Sequence, residues 1–291
     1  MVLGLLIGIA RLSSNWLLAR CATIYIELFR NIPMLLQLLF WSAIMLSSLP
    51  TLKESYSLRG IAFLNKKGLV LPWFDASSST WPLWFALLAG GVVAFAVSYQ
   101  SRQRVHQGQR AWPVRWLAPA LIVLPLLVTI LCTGLHISLS LPQLTAFNFR
   151  GGIHLIPELV ALWLALTLYT AAFVAEVVRS GIASVPRGQH EAAISLCLPG
   201  RLTLRKIVLP QAMRVITPQL ANQYLDVIKN SSLGIAIGYP DLFSVYGITT
   251  LNQTGQALKV MTTTLAVYLV ISLVVSLSMN VINAGMALKE R

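Results

Sequence analysis

Long uninterrupted apolar runs constrain this chain more than any other feature. Five of them, each of 17 to 24 residues, lie at about 33–49, 83–99, 116–135, 156–178 and 263–286. A helix that crosses the hydrocarbon core of a bilayer needs about 20 such residues. Only 11% of the 291 residues are charged, whereas soluble domains carry about 25%. The pattern therefore predicts an all-α, polytopic bundle of membrane helices.

Two further segments are weaker candidates for spans. Residues 211–240 include Asp226 and Lys229, yet they must cross if inside and outside segments are to alternate. The chain opens with MVLGLLIGIA, only ten apolar residues before Arg11, about half of what a span needs. We expect either a short interfacial helix there or a first span that is truncated at its N-terminus. The total is then six to seven spans.

The cations indicate an orientation. With 11–30, 100–115, 179–214 and the C-terminus placed inside, these segments hold 15 of the 22 Lys and Arg residues, and the outside segments hold six. The remaining one, Lys229, lies in a predicted span. This distribution satisfies the positive-inside rule. We therefore interpret the net charge of +13 as topogenic, and we expect no nucleic-acid partner.

Cysteine and histidine give no sign of metal or catalytic chemistry. Cys21, Cys132 and Cys197 are far apart, no CxxC occurs, and the four histidines show no ligand spacing. We interpret them as ordinary buried or loop residues. The sequence thus predicts no metal site and no catalytic residue.

The segment EAAISLCLPGRLTLRKIVLP, residues 191–210, differs from its apolar surroundings. EAAISL and LTLRKIVL both favour helix. Pro199-Gly200 between them predicts a turn, because proline fixes φ and glycine permits a positive φ. We therefore predict a helix–turn–helix on the cytoplasmic face. Charge and periodicity alone leave two functions open for it: a docking bracket for a partner, or an ordinary amphipathic cytoplasmic loop.

This segment resembles the EAA motif of membrane permeases in bacterial ABC importers: EAA, three residues, Gly, nine residues, Ile, one residue, Leu-Pro. The residues that match it at the expected spacing are Glu191, Ala192, Ala193, Ile207, Leu209 and Pro210. Cys197 occupies the glycine position, which removes a residue that tolerates any backbone angle. We expect Pro199-Gly200 to take over the turn.

Other motifs extend the resemblance over most of the chain. YIELFRNIP (25–33) is similar to YIExFRGTP of polar amino-acid permeases, and FVAEVVRSGIASVPRGQHEAA (173–193) is similar to xIAEIVRxGIxSVPxGQxEAA. LPQAMRVITPQL and VIKNSSLGIAIGYPDL continue the match to Leu242. TTLNQTGQALK (249–259) is similar to the general L-amino-acid branch in particular.

The resemblance divides the chain into four parts. Residues 1–49 look like a truncated N-terminal part of the permease core, because the family core begins with a complete first span. Residues 50–155 look like a branch-specific insertion with a structured outside loop and two extra spans. Residues 156–286 look like the C-terminal core, with the EAA loop at 179–210, and 287–291 form a cytoplasmic tail.

The resemblance implies the permease subunit of an ATP-dependent amino-acid importer in the bacterial inner membrane. A separate ATPase would dock on the EAA loop and carry ATP and Mg²⁺. Nothing here resembles GxxxxGK[ST], so we expect this chain to bind no cofactor and not to be an enzyme. The other implied partners are a second permease subunit, which gives a heterodimer, a periplasmic amino-acid-binding protein and the lipid bilayer.

The three cations of the coupling loop have two possible roles. By the resemblance the loop comprises the matched EAA residues together with Cys197, Pro199, Gly200, Arg201, Arg205 and Lys206. Its three cations are candidates to pair with acidic rims on the ATPase. They are equally well explained as solvated topogenic charge, since exposed ion pairs contribute only about 0–1 kcal/mol.

Polar groups in predicted spans are candidates for the substrate path, because they are costly in lipid and usually face a cavity. They are Gln37, Asn222, Gln223, Asp226, Lys229, Asn230, Ser231 and Ser232. Residues 230–232 near a helix break would bind a substrate carboxylate, and Asp226 would bind the ammonium. Alternatively Asp226 and Lys229, at i and i+3, neutralise each other.

Two other carboxylates keep a different transport class open. Glu158 is expected to lie at the start of a helix, where its carboxylate interacts favourably with the helix dipole. Glu176 is expected to pair with Arg179, three residues later in the chain. An ion-coupled secondary amino-acid transporter would instead need a buried coupling carboxylate, for which Glu158, Glu176 and Asp226 are the candidates. A further alternative is an inactive, N-terminally truncated permease.

Overall fold

The structure, a computed structural model, describes residues 1–76, 81–106, 114–133, 137–145 and 148–286. The predicted tail 287–291 and the inside cation Arg110 lie outside the described residues. The chain forms two compact units. One comprises Met1–Tyr56, Leu64–Leu69 and Leu155–Arg291, and the other comprises Ser57–Phe63 and Val70–His154.

The described chain is mostly helical, as predicted. In chain order the α-helices are α1 (Val2–Arg11), α2 (Trp16–Asn31), α3 (Met34–Ala43), α4 (Trp81–His106), α5 (Val114–Thr133), α6 (Pro157–Ala183), α7 (Arg187–Ser195), α8 (Gly200–Thr203), α9 (Leu209–Asn230), α10 (Leu251–Thr254) and α11 (Ala257–Met286). Turns of π-helix lie at Ile44–Ser48, Leu204–Val208 and Phe243–Thr250, and 3₁₀ turns at Leu52–Glu54 and Ser231–Ile237.

Short strands accompany the helices. They are β1 (Tyr56–Leu58), β2 (Ala62–Asn65), β3 (Gly68–Leu71), β4 (Trp73–Ala76), β5 (Ile137–Ser140), β6 (Gln143–Leu144), β7 (Phe149–Arg150) and β8 (Ile153–Leu155). One sheet has the order β1-β2-β3-β8, and two antiparallel pairs are β4-β5 and β6-β7. The sequence predicted a structured loop after residue 50, but it predicted neither these strands nor those after residue 136.

Only some helices of the described chain are long and apolar enough to cross a membrane. By length and apolar composition, Trp81–Ser101, Pro157–Ala183 and Ala257–Val281 are long enough to cross a bilayer. Trp16–Asn31 and Met34–Ser48 pass the same test only together, and they are bent by 101° at their junction. Helices also occupy the other predicted spans, but neither α5 nor α9 meets this criterion, and the apolar part of α5 is the shorter stretch Pro119–Ile130. The total of six to seven spans stays a prediction.

The bend between α2 and α3 follows from local chemistry. Pro33 disfavours helical conformation at the preceding residue, and Ile32 accordingly is extended, with φ −95° and ψ 127°. The buried Gln37 side chain then donates from Nε2 to the carbonyl oxygens of Phe29 (2.8 Å) and Ile32 (2.9 Å). Two backbone acceptors at the end of α2 are thereby satisfied by a side chain from α3.

Helix α6 is the central element of the first unit. It starts at Pro157, which is favoured in the first turn of a helix, and Glu158 lies in that turn, where a carboxylate favours the dipole. Met34 and Leu38 of α3 are buried against Leu162 and Ala165 of α6. This packing fixes α3 on the first half of α6.

Helix α1 packs on the second half of α6 at very short range. An added Cβ at Gly4 would lie 2.6 Å from the Val174 Cβ atom, and one at Gly8 would lie 2.9 Å from the Val178 Cβ atom. Two glycines spaced by four residues lie on one face of a helix. Because they lack side chains, the two backbones approach closely there.

Candidate functional site

The first half of the EAA segment forms helix α7. Pro186 precedes its first turn, and the helix ends after Ser195. Ala193 is buried, whereas Glu191 and Ala192 are exposed. The EAA motif therefore presents two of its residues outward and uses the third for packing.

The helix ends in a left-handed turn at Cys197. Cys197 has φ +52°, its N–H donates to the Ile194 carbonyl (2.8 Å), and the Leu198 N–H donates to the Ala193 carbonyl (3.0 Å). These two bonds define a Schellman motif, which usually has glycine at the left-handed position. The prediction that Pro199-Gly200 would take over the turn is wrong. The chain must reverse immediately after α7, so the residue at the family's glycine position adopts that conformation itself.

The second half of the segment returns the chain to the membrane region. Pro199 is extended and precedes α8. Gly200 is the first residue of that helix, and its φ is not positive. The π-helical turn Leu204–Val208 leads directly into α9, whose first turn contains Leu209 and Pro210. Ile207 is half-buried. The predicted helix–turn–helix is thus present, with a shorter second helix than expected.

A small core attaches this segment to the long helices. Val185, before the segment, and Val208, near its end, are buried with Ala212 and Ile216 of α9. An added Cβ at Gly181 of α6 would lie only 2.3 Å from the Ile216 Cγ1 atom, so α6 and α9 pack tightly at this point. The segment therefore shares one close-packed base with both helices.

The outer surface of the segment is apolar and cationic. Ile194 and Leu196 are 73% and 71% exposed. Arg201, Arg205 and Lys206 are exposed as well, and none forms an ion pair with a described residue. Large apolar side chains beside free cations suit a surface that contacts another protein.

The predicted substrate-path residues do not form one cluster. Lys229 and Ser232 line a cavity of ≈ 570 Å³ against α11, whereas Asp226 is exposed and is not part of that lining. Asp226 and Lys229 form no ion pair, although both are described. Their mutual neutralisation therefore receives no support.

The other path candidates have separate surroundings. Asn222 is exposed, and Gln223 and Asn230 are half-buried. The hydroxyls of Ser231 and Ser232 donate to carbonyl oxygens three residues earlier, at 2.7 Å each. Gln37 lies in the α2–α3 bend described above, away from this cavity's walls.

Glu176 is the acceptor of a three-arginine cluster. Its predicted partner Arg179 donates from Nη2 to Oε1 (2.5 Å). Arg11 at the end of α1 donates to Oε2. Arg30 at the end of α2 lies 3.9 Å from the same oxygen and stacks over the Phe173 ring, 5.4 Å from its centroid. One carboxylate thus joins α1, α2 and α6.

Several residues of the cavity were missed by the sequence analysis. Thr264, Tyr268 and Ser272 line it from α11, and Phe243 lines it from the π-helical segment. Their signal was weak, since single hydroxyls in an apolar run are common in spanning helices. In the part of the chain that the structure describes, no group of His, Cys, Asp and Glu could hold a metal ion.

Comparison with solved structures gives the fold. A crystal structure of an amino acid ABC transporter with histidines superimposes with a TM-score of 0.54 at 19% identity. The match covers 97% of this chain and 83% of that chain.

Comparison with protein families and with known proteins shows the family to which this chain belongs. The family model "Binding-protein-dependent transport system inner membrane component" matches residues 111–288. The putative amino-acid ABC transporter permease protein YhdX of Escherichia coli K12 is 48% identical over all of this chain and 74% of its own length. The general L-amino acid transport system permease protein AapQ of Rhizobium johnstonii is 44% identical, over 100% and 72%. The chain therefore belongs to this family of binding-protein-dependent inner membrane components, as an amino-acid ABC transporter permease.

Proposed function

We propose that the chain is the permease subunit of an ATP-driven amino-acid importer of the bacterial inner membrane, and that residues 191–210, the coupling segment, receive the motion of a separate ATPase. The ATPase would bind ATP and Mg²⁺. A second permease subunit and a periplasmic binding protein would complete the complex. The lipid bilayer is the remaining partner.

The exposed apolar side chains of the coupling segment carry this proposal. Ile194 and Leu196 are about three-quarters exposed on a cytoplasmic segment of the predicted topology. Burying each in a protein groove would contribute about 1.5–3 kcal/mol. Exposed Arg201 and Arg205 lie on the same segment, where they favour an acidic rim.

The packing of the coupling segment against the long helices would allow it to pass the motion of the ATPase to them. Val208 and Ala193 are 1% exposed, so the segment cannot slide over its base without disrupting packing. If two ATPase subunits close on ATP, they would move two such segments together and tilt α6 and α9. A change of access from one side of the membrane to the other would follow.

The names of the relatives suggest the substrate class. AapQ is a general L-amino acid permease protein, and BztB of Rhodobacter capsulatus, 41% identical over 97% of this chain and 73% of its own length, is a glutamate/glutamine/aspartate/asparagine permease protein. We infer polar or general L-amino acids as substrates here.

No observation favours the ion-coupled alternative. Such a transporter needs a carboxylate that is free to bind and release the coupling ion. Glu176 is held by three arginines, Asp226 is exposed, and Glu158 lies at a helix start.

Reconstitution tests the proposal directly. The permease pair, the ATPase and the binding protein are placed in liposomes, and uptake of L-glutamine is measured with and without ATP. Uptake driven by an ion gradient without ATP would overturn the importer assignment. Ile194→Asp should abolish both ATPase co-purification and uptake. Gly188→Asp adds the same charge at the start of α7, where an added side chain meets nothing within 4 Å, and should preserve both. Normal uptake in Ile194→Asp would overturn the coupling role.

A further inference from the structure

The arginine cluster around Glu176 carries more positive charge than its carboxylate neutralises. Arg11, Arg30 and Arg179 supply three positive charges against one negative charge, so the formal excess is two. Within the described residues, no second carboxylate forms an ion pair with these arginines. Arg11 and Arg30 lie in the last turns of α1 and α2, and each helix C-terminus offsets about half a charge. An excess of about one positive charge therefore remains.

Arg30 is the arginine of the cluster whose N–H groups stay unused. Its Nη1 atom lies 3.9 Å from the Glu176 Oε2 atom, which is too far for a hydrogen bond. Arg30 forms no hydrogen bond with any residue that the structure describes, and its guanidinium instead stacks over the Phe173 ring. A guanidinium that is held by stacking can offer a parallel pair of N–H groups to an anion.

The outer side of the cluster is accessible. The Arg30 and Arg179 side chains are 37% and 35% exposed, whereas that of Arg11 is 18% exposed. Arg179 donates to Glu176 from Nε and Nη2 and keeps both N–H groups of Nη1. Nitrogens of Arg179 and Arg30 lie 3.1 and 3.9 Å from the same Glu176 Oε2 atom, and so no more than 7.0 Å apart. One phosphate group can therefore bridge the two guanidinium groups.

The cluster lies at the cytoplasmic membrane surface of the predicted topology. Residues 11–30 and 179–214 are its inside segments, and the apolar helix Pro157–Ala183 is long enough to span the bilayer. The bend of 101° directs α2 along the bilayer surface when α3 crosses the bilayer. Trp16, Leu17 and Leu28 of α2 are exposed, which is typical of a helix that contacts lipid at the interface.

We propose that Arg30 and Arg179 bind the phosphate of an anionic phospholipid of the cytoplasmic leaflet. Basic pockets between membrane helices on the cytoplasmic side bind such headgroups. A phosphodiester with one negative charge matches the remaining excess of positive charge. A zwitterionic lipid has the same phosphate, but its own ammonium neutralises it. The bound lipid would join α2 to α6. This inference goes beyond the proposed importer function, because it needs only the membrane location of the chain.

Native mass spectrometry of lipid binding tests the proposal. The full chain is purified in mild detergent with the subunits that remain bound. It is titrated with dioleoyl phosphatidylglycerol or with dioleoyl phosphatidylcholine, which has the same acyl chains. We expect one saturable site that prefers phosphatidylglycerol. Arg30→Gln should weaken phosphatidylglycerol binding about 5-fold or more, because it removes one charge and the unused N–H pair.

Arg20 provides the matched control. It is an exposed cation of the same helix, and it forms no ion pair with a described residue. Arg20→Gln should therefore leave the affinity for phosphatidylglycerol unchanged. Arg30→Lys keeps the charge, but its ammonium lacks the planar fork, so it should bind phosphatidylglycerol more weakly than the wild type. This variant tests the site even when Arg30→Gln fails to fold, and circular dichroism reports the fold of each variant.

Free phosphate is the other source of the same anion. Inorganic phosphate at the concentration of the lipid should not displace phosphatidylglycerol, because it lacks the acyl chains that hold the lipid beside α2. Displacement would assign the site to a soluble anion and overturn the lipid assignment. Equal affinities for the two lipids would also overturn the proposal. So would equal losses in Arg30→Gln and Arg20→Gln, since they would indicate general attraction to a cationic surface, and so would wild-type affinity in Arg30→Lys.

Discussion

Replacing Cys197 by glycine should tighten the turn of the coupling segment. A non-glycine residue in the left-handed region costs about 1–2 kcal/mol, and Cys197 has φ +52°. Glycine offsets part of the gain, because its unfolded chain is freer by about 0.5–1 kcal/mol. The net stabilisation of the turn is therefore about 0.5–1 kcal/mol, which corresponds to a 2- to 5-fold change in a local opening equilibrium.

Hydrogen exchange measures this effect at the turn itself. The reporter is the Leu198 N–H, which donates to the Ala193 carbonyl and exchanges only when the turn opens. Cys197→Gly should slow its exchange by about 2- to 5-fold. Cys197→Val should accelerate it, because a β-branched residue is a poor fit to a positive φ.

Cys21 provides the matched control. It is also exposed, but it lies inside helix α2, where glycine is less favourable than cysteine by about a few tenths of a kcal/mol. Cys21→Gly should therefore accelerate exchange in its own segment. If Cys197→Gly accelerates exchange in the same way, the left-handed turn is not what limits this segment, and the reasoning is refuted.

Two further substitutions test the packing of the N-terminal helices. Glu176→Gln removes the negative charge shared by three arginines and should cost about 2 kcal/mol, seen as a lower thermal midpoint in detergent; Glu158→Gln, in a first helical turn, should cost less than about 1 kcal/mol, and equal losses would contradict the cluster. Gly4→Ala forces a Cβ to 2.6 Å from the Val174 Cβ atom and should destabilise by about 1–2 kcal/mol, measured as increased proteolysis of α1. Gly91→Ala, with open space around it, should be neutral or stabilising, and the same loss there would argue against a packing effect.

The helices that the sequence predicted best are those whose apolar composition alone determines them. α4, α6 and α11 follow continuous apolar runs, and each is long enough to span a bilayer. Apolar composition is less informative where pairing between distant segments determines the structure. β5 pairs with β4 in a register that sets Trp73 opposite Ser140. Such pairing between distant segments leaves no local periodicity to read.

The candidate site shows the same division. Helix propensity on either side of Pro199-Gly200 was sufficient to predict a helix–turn–helix between two apolar segments. The turn inside it was not predictable from propensity, because a cysteine was required to adopt a conformation in which it is uncommon.

The arginine cluster also has a consequence for biosynthesis. Arg11 and Glu176 are separated by 165 residues, which at ribosomal rates of about 5–20 residues per second is a delay on the order of 10 s or more. During that time the arginines of α1 and α2 have been made, but the carboxylate that joins them to α6 has not. Helices α1 and α2 therefore carry Arg11 and Arg30 without this carboxylate until α6 has been made, and the ion pairs that join them to α6 can form only then.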